Sequence, residues 1–97
     1  MAMSFLVQYH ELVVREDIPK LSNEWKDRIR TFIEEKLTTH PEVFGKPLRR
    51  SLKNYRKLRV GEYRVIFRIE HTTVKIFVIQ HRSVVYKIAE KRRLMGG

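Results

Sequence analysis

Two hydrophobic rhythms run along the chain, a period of two near its start and through its later middle, and a helical period between them and at its end. "SFLVQYH", residues 4–10, alternates and is rich in strand formers, which predicts a first strand. "ELVVREDIPKLS" places Val14, Ile18 and Leu21 at helical spacing, and Pro19 limits this stretch to a short or broken helix. "SNEWKDRIRTFIEEKL", residues 22–37, predicts the clearest helix: Trp25, Ile29, Phe32, Ile33 and Leu37 form one apolar stripe. Ser22 suits its N-cap and Glu24 its first turn. The stripe makes this helix scaffold, with Trp25 as a core anchor. Residues 38–54 read as a long connection with two prolines and a glycine, pinned by Phe44 and Leu48. "VKIFVIQH", residues 74–81, is a strongly apolar strand. "RSVVYKIAEKRRLMGG" ends the chain with a short helix on which Val84, Val85, Ile88 and Leu94 form the apolar side. Its Lys91, Arg92 and Arg93 sit near a helix C-terminus, where cations are favourable, and the final Gly96 and Gly97 read as frayed.

The segment between these elements, "YRKLRVGEYRVIFR", mixes both kinds of residue. Gly61 and Glu62 separate two strand-like runs, and a two-residue loop starting with Gly fits a tight hairpin. With Val60 and Tyr63 flanking the loop, opposed residues have numbers summing to 123. Arg59 then faces Arg64, and Leu58 faces Val65. Directly opposed side chains share a face. One face therefore carries Leu58, Val60, Tyr63, Val65, Phe67 and Ile69, with Arg56 at its edge. The other carries Tyr55, Lys57, Arg59, Arg64, Ile66 and Arg68. A second turn near His71 and Thr72 extends the sheet by pairs summing to 143. It sends Val74, Ile76 and Val78 to the apolar face and Lys75, Phe77, Ile79 and His81 to the basic one, with Phe77 and Ile79 under the terminal helix.

Charge changes this picture from a small core into a candidate receptor. The chain of 97 residues has 21 Lys and Arg against 11 Asp and Glu, a net charge of +10. Residues 46–68 hold nine of the cations (Lys46, Arg49, Arg50, Lys53, Arg56, Lys57, Arg59, Arg64 and Arg68) and one acid, Glu62, whereas residues 11–36 are near balance. Such polarisation points to a polyanionic partner. Like charges directly opposite destabilise a sheet by a few tenths to ~1 kcal/mol per pair. An anion docked between Arg59 and Arg64 relieves that cost, and the guanidinium fork matches phosphate oxygens. Lys46, Arg49, Arg50 and Lys53 fit either a solvated surface or a phosphate-tracking rim.

Other chemistries find little support. Apolar residues make up 42% and charged residues 33%, the balance of a globular chain. No apolar run approaches the ~18 residues that span a bilayer, so no membrane association is expected. The start lacks a basic n-region and a small-residue cleavage site, so no signal peptide is read. Cysteine is absent, which fits a cytoplasmic location. His10, His40, His71 and His81 show no ligand spacing and no acidic cluster accompanies the basic face, so no metal or other cofactor is expected. No Gly-rich nucleotide loop occurs.

"GKPLRRSLKNYRKLRVGEYRVIFRI" followed by "VKIFVIQHRSVVYK" resembles the RelE/ParE superfamily of bacterial toxins, on its RelE-like side. The likeness covers nearly the whole chain, and the pair "KLRVGEYRVIF" and "HRSVVY" makes it specific. It implies one α+β domain over residues 1–97, with an N-terminal strand and helical hairpin packed on a small, mainly antiparallel sheet of about four strands, and a short C-terminal helix. It further implies a toxin held by a RelB-like antitoxin, cutting mRNA in the ribosomal A site by attack of a 2′-OH on the adjacent phosphorus. Carried over by motif, the working residues are Lys57, Arg64, Arg82 and Tyr86, with Arg59 beside them. Tyr55 stands where RelE proper has a further lysine.

In-line attack needs a base, a charge for the phosphorane and an acid for the leaving oxygen. Arg64 and Arg82 suit the charge. Lys57, among cations, and His81, by its intrinsic pKa, are the candidates for proton transfer. Tyr86 suits stacking or phosphate contact. Arg49, Arg50, Lys53, Arg56, Arg59 and Arg68 are the candidate phosphate binders. Two other functions fit the same face: a ParE-like gyrase poison without RNA cleavage, and a plain nucleic-acid-binding module.

Overall fold

The structure, a computed structural model, describes residues 4–96. The expected looseness of Gly97 and the reading of the start at Met1–Met3 lie outside the described residues. Five strands form one sheet in the order β1-β5-β4-β3-β2: β1 Leu6–Tyr9, β2 Lys46–Pro47, β3 Arg56–Val60, β4 Tyr63–Glu70 and β5 Thr73–His81. β1 runs parallel to β5, and every other pairing is antiparallel. The fold class is thus the expected α+β. The count of about four strands rises to five because Lys46 and Pro47, inside the expected connection, pair with Lys57 and Arg56.

Helix α1, Asn23–Phe32, starts as the sequence predicts: Ser22 Oγ accepts the Trp25 N–H at 3.3 Å. Its last turn, Ile33–Leu37, widens into π-helical geometry, and the Thr38 and Thr39 hydroxyls donate to the carbonyls of Glu34 and Glu35. Ile29, Ile33 and Leu37 are buried against Leu58, Val60, Val65, Phe67, Val74, Ile76 and Ile79. Before α1 the chain makes a π-helical turn at Val13–Asp17 and a 3-10 turn at Ile18–Lys20. There the buried series is Val13, Asp17 and Leu21, and Val14 faces solvent.

The opposite side of the sheet holds a second core of Leu52, Tyr55, Ile66, Phe77, Val78, Val85 and Ala89, covered by helix α3, Val85–Leu94. The inward face of α3 is Val85, Ala89 and Arg92, while Val84 and Leu94 are exposed. Phe44, expected as a pin of the 38–54 connection, is also exposed. It ends the short helix α2, Pro41–Phe44.

The β3–β4 register sums to 123 throughout, as the hairpin reading requires, with Arg59 opposite Arg64. The β4–β5 register does not keep its sum of 143. It holds from Glu70↔Thr73 to Phe67↔Ile76, then jumps so that Ile66 pairs with Val78 and Tyr63 with His81. Phe77 is the extra residue of a β-bulge, so Phe77 and Val78 both face α3 and everything after them changes sides. Ile79 joins the α1 core instead of lying under the terminal helix, and His81 moves to the face opposite Arg64.

A buried ion pair stabilises this irregularity. Arg92 grips Asp17 bidentately, at 2.8 and 2.7 Å. Arg92 Nη1 also donates to the Phe77 carbonyl, and Asp17 Oδ2 accepts the Ile79 N–H at 2.8 Å. The two charges therefore satisfy backbone groups on either side of the bulge, groups that would otherwise be buried without partners.

Candidate nucleic-acid interface

The tip of the β3–β4 hairpin is fixed by glycine and tryptophan. Gly61 has φ of +59°, the left-handed region, and a Cβ there would lie 2.5 Å from Trp25 Cη2. Trp25 also packs on Tyr63, with ring centroids 4.9 Å apart. α1 thus holds the tip from one side and leaves the other side to the cations.

On that other side the alternation of β3 and β4 places Lys57, Arg59 and Arg64 together. Arg64 is only 8% exposed. Its Nη1 donates to the carbonyls of Gly61 and Tyr63, both at 2.8 Å. Neutral carbonyls orient this guanidinium without cancelling its charge. Arg59, directly opposite, is exposed. Lys57 Nζ lies 5.8 Å from the centre of the Tyr86 ring, which the first turn of α3 presents. Among the described residues none of these three cations enters an ion pair. No side chain caps the N-terminus of α3, so its positive end adds to the same field.

Arg82 is placed differently. Its backbone N–H donates to the Glu62 carbonyl at 2.8 Å, and its Nε to Glu62 Oε2 at 2.9 Å. The one acid of the basic segment, which the sequence reading left without a role, therefore holds this arginine beside the hairpin tip. His81 lies edge-on to Tyr63. Its Nδ1 lies 3.1 Å from the Ser83 N–H and 2.8 Å from the Ser83 hydroxyl, and its Nε2 lies 3.8 Å from Glu62 Oε2. The bulge has removed His81 from the Arg64 face, and Gln80 is the residue opposite Arg64.

The expected phosphate binders divide. Arg56 turns to the α1 side, as its register requires, and its Nη1 donates to the carbonyls of Gly45 at 2.9 Å and Glu42 at 3.3 Å. It serves the scaffold. Arg68 shares the face of Arg64 but lies four residues along β4, roughly 13 Å away. It is ion-paired with Glu70, which also meets Lys75 Nζ at 3.2 Å. Those contacts, Lys75 first, hold the Glu70 carboxyl below its usual pKa. Arg49, Arg50 and Lys53 are exposed around a 3-10 turn, Arg50–Leu52, in which Arg50 has φ of +57°. Ser51 Oγ donates to Glu90 of α3, and this bond, with Arg93 next, lowers the Glu90 pKa.

The cluster at the hairpin tip is therefore Lys57, Arg59, Arg64 and Tyr86, with Arg82 tethered at its margin. It joins a fixed guanidinium to free cations and one exposed aromatic ring, a set suited to a phosphodiester and its base. Among the described residues no three His, Cys, Asp or Glu side chains converge as metal ligands, and no helix is long and apolar enough to cross a membrane.

Fold and face together describe a small basic α+β protein with an anion-receptive sheet. Residues 6–86 match the family model of the ParE toxin of the type II toxin–antitoxin system, parDE. Toxin RelG of Mycobacterium tuberculosis is 39% identical over 75 residues, covering 75% of this chain and 86% of that protein. Toxin RelE of the same organism is 32% identical over 74 residues, covering 74% and 76%. The toxin–antitoxin complex RelBE2 of M. tuberculosis superposes with a TM-score of 0.77 at 34% identity, covering 84% of this chain and 94% of that one. Free Escherichia coli RelE, a double arginine-to-alanine mutant, shares the fold with a TM-score of 0.64 at 17% identity, covering 93% and 98%. The chain belongs to the RelE/ParE superfamily and is a toxin of a type II toxin–antitoxin system.

Proposed function

We propose that this toxin is an endoribonuclease that cuts mRNA on the ribosome without a metal, acting in the cytoplasm as one unit over residues 1–97. The observation that carries this reading is the Arg59–Arg64 rung with Lys57 and Tyr86 beside it: three cations, unpaired among the described residues, and one aromatic ring on a face that suits a phosphodiester. Arg64, held by two carbonyls, meets the phosphate without reorganising and stabilises charge as the phosphorane forms. Tyr86 stacks on the neighbouring base and holds the 2′-OH in line. Lys57, beside Arg59 and the Tyr86 ring, takes the 2′-OH proton. The 2′-oxygen bonds to phosphorus and the P–O5′ bond breaks, giving a 2′,3′-cyclic phosphate; the 5′-oxygen takes a proton from solvent water and leaves as a 5′-OH, and Lys57 returns its proton to solvent. Arg82 exchanges Glu62 for a phosphate oxygen. His81 is left out of this scheme because β5 carries it on the face of the sheet opposite Arg64.

A RelB-like antitoxin is the expected partner, in keeping with the antitoxin-bound M. tuberculosis relative, and an acidic segment is the natural complement of the basic face. The test is cleavage mapping with purified ribosomes and mRNA. The wild type yields new 5′ ends within translated codons. Arg64→Ala lowers the rate about 10²–10³-fold, and Arg82→Ala lowers it less, with both variants folded by circular dichroism. Gyrase-linked DNA breaks with intact mRNA would replace this reading with the ParE-like one. Salt-sensitive RNA binding with neither mRNA nor DNA damage would reduce it to a binding module.

A further inference from the structure

At the outer margin of the sheet, β2 covers only Arg56 and Lys57, so Leu58–Val60 has no strand beyond it. A cavity of about 150 Å³ opens at this place, lined by Lys36, Phe44, Lys46, Lys57, Leu58 and Arg59. Four of these six are cations, and none of the four enters an ion pair among the described residues. Lys46 stands directly opposite Lys57. Two like-charged rungs, Lys46–Lys57 and Arg59–Arg64, therefore cross adjacent strand pairs, and each costs sheet stability until an anion arrives.

The wall of the cavity is built rather than loose. Gly45 is buried so tightly on Phe67 that any Cβ would collide with the ring. Arg56 binds the carbonyls of Glu42 and Gly45, which fixes the turn between α2 and β2. Lys36 Nζ lies 4.7 Å from the centre of the Phe32 ring and 5.0 Å from that of Phe44. Phe44 is thereby held in place with 41% of its surface in solvent. A fixed, exposed aromatic ring among unpaired ammonium groups is the combination that holds a nucleotide, the base stacking and the phosphate meeting the charge.

We propose that this cavity is a subsite for the nucleotide flanking the scissile phosphate, with its base on Phe44 and its phosphate against Lys46. The proposal rests on the reading of the neighbouring face as an RNA site. It extends the footprint of the enzyme around the open edge of β3, from the Arg64 face toward α2.

The test uses programmed ribosomes carrying mRNA with single abasic positions, and the full-length toxin as wild type, Phe44→Ala, Phe44→Trp and Lys46→Ala. In the wild type one flanking abasic position lowers kcat/KM about tenfold. Phe44→Ala shows the same loss on intact mRNA and no further loss at that position, and Phe44→Trp restores the wild-type pattern. Lys46→Ala raises KM and reduces the salt slope by about one. An equal abasic penalty in the wild type and Phe44→Ala overturns the subsite. If Arg64→Ala is then still inactive, the nuclease reading stands without it. If the wild type does not cut on ribosomes, the nuclease reading fails, and the same abasic comparison is made by anisotropy with fluorescent RNA tetranucleotides. Unchanged RNA behaviour with weakened antitoxin binding assigns the cavity to an acidic peptide and overturns the proposal.

Discussion

Arg92 shows how far one residue's role departs from its position in the sequence. Three cations at the end of a helix read as partners of the helix dipole, yet Arg92 is 3% exposed and binds Asp17, 75 residues away. Nothing local announces the pair, because the bulge that needs it is created by tertiary register. Removing one partner leaves a charge buried without compensation. Arg92→Ala and Asp17→Ala are each expected to lower unfolding free energy by about 3–5 kcal/mol, measured by urea titration. The double variant Asp17→Asn/Arg92→Met is expected to cost less than the two single changes summed, since no lone charge remains. By contrast, the Arg59–Arg64 opposition was legible in the sequence. It follows from a two-residue turn and a period of two, both of which are local.

At the scale of elements, legibility follows the same line. The β3–β4 hairpin was readable residue by residue because Gly61 fixes its turn. The second hairpin was readable only as far as Ile76, because a bulge has no composition signal in an apolar run such as "VKIFVIQH". That one extra residue is why Val78, Ile79 and His81 were expected on the wrong faces. β2 escaped notice because two residues carry no periodicity, and with it went the Lys46–Lys57 rung. Gly61→Ala tests the first hairpin as a unit. It forces a side chain into a left-handed turn and against Trp25, and is expected to cost about 1–3 kcal/mol. Hydrogen exchange is expected to speed up first in β3 and β4. Full stability in this variant would mean that the tip can move away from α1.

For the whole molecule, the charge of +10 is divided between uses. Arg56, Arg68 and Arg92 are bound within the protein, whereas Lys36, Lys46, Lys57, Arg59 and Arg64 remain without counter-charges among the described residues. RNA affinity is therefore expected to fall linearly in log–log salt titration. Arg59→Ala is expected to reduce the slope by about one, while Arg68→Ala leaves it nearly unchanged. An equal effect from Arg68 would mean that its pairing with Glu70 opens when RNA arrives. The tie between Asp17 and Arg92 also imposes an order on the protein's making. The carboxylate is synthesised 75 positions before its cation, so a nascent chain cannot satisfy its buried charge until residue 92 has left the ribosome that built it. A messenger cut anywhere before the codon for Arg92 yields a chain with an unanswered charge at its centre, a misfolded product in place of a finished poison.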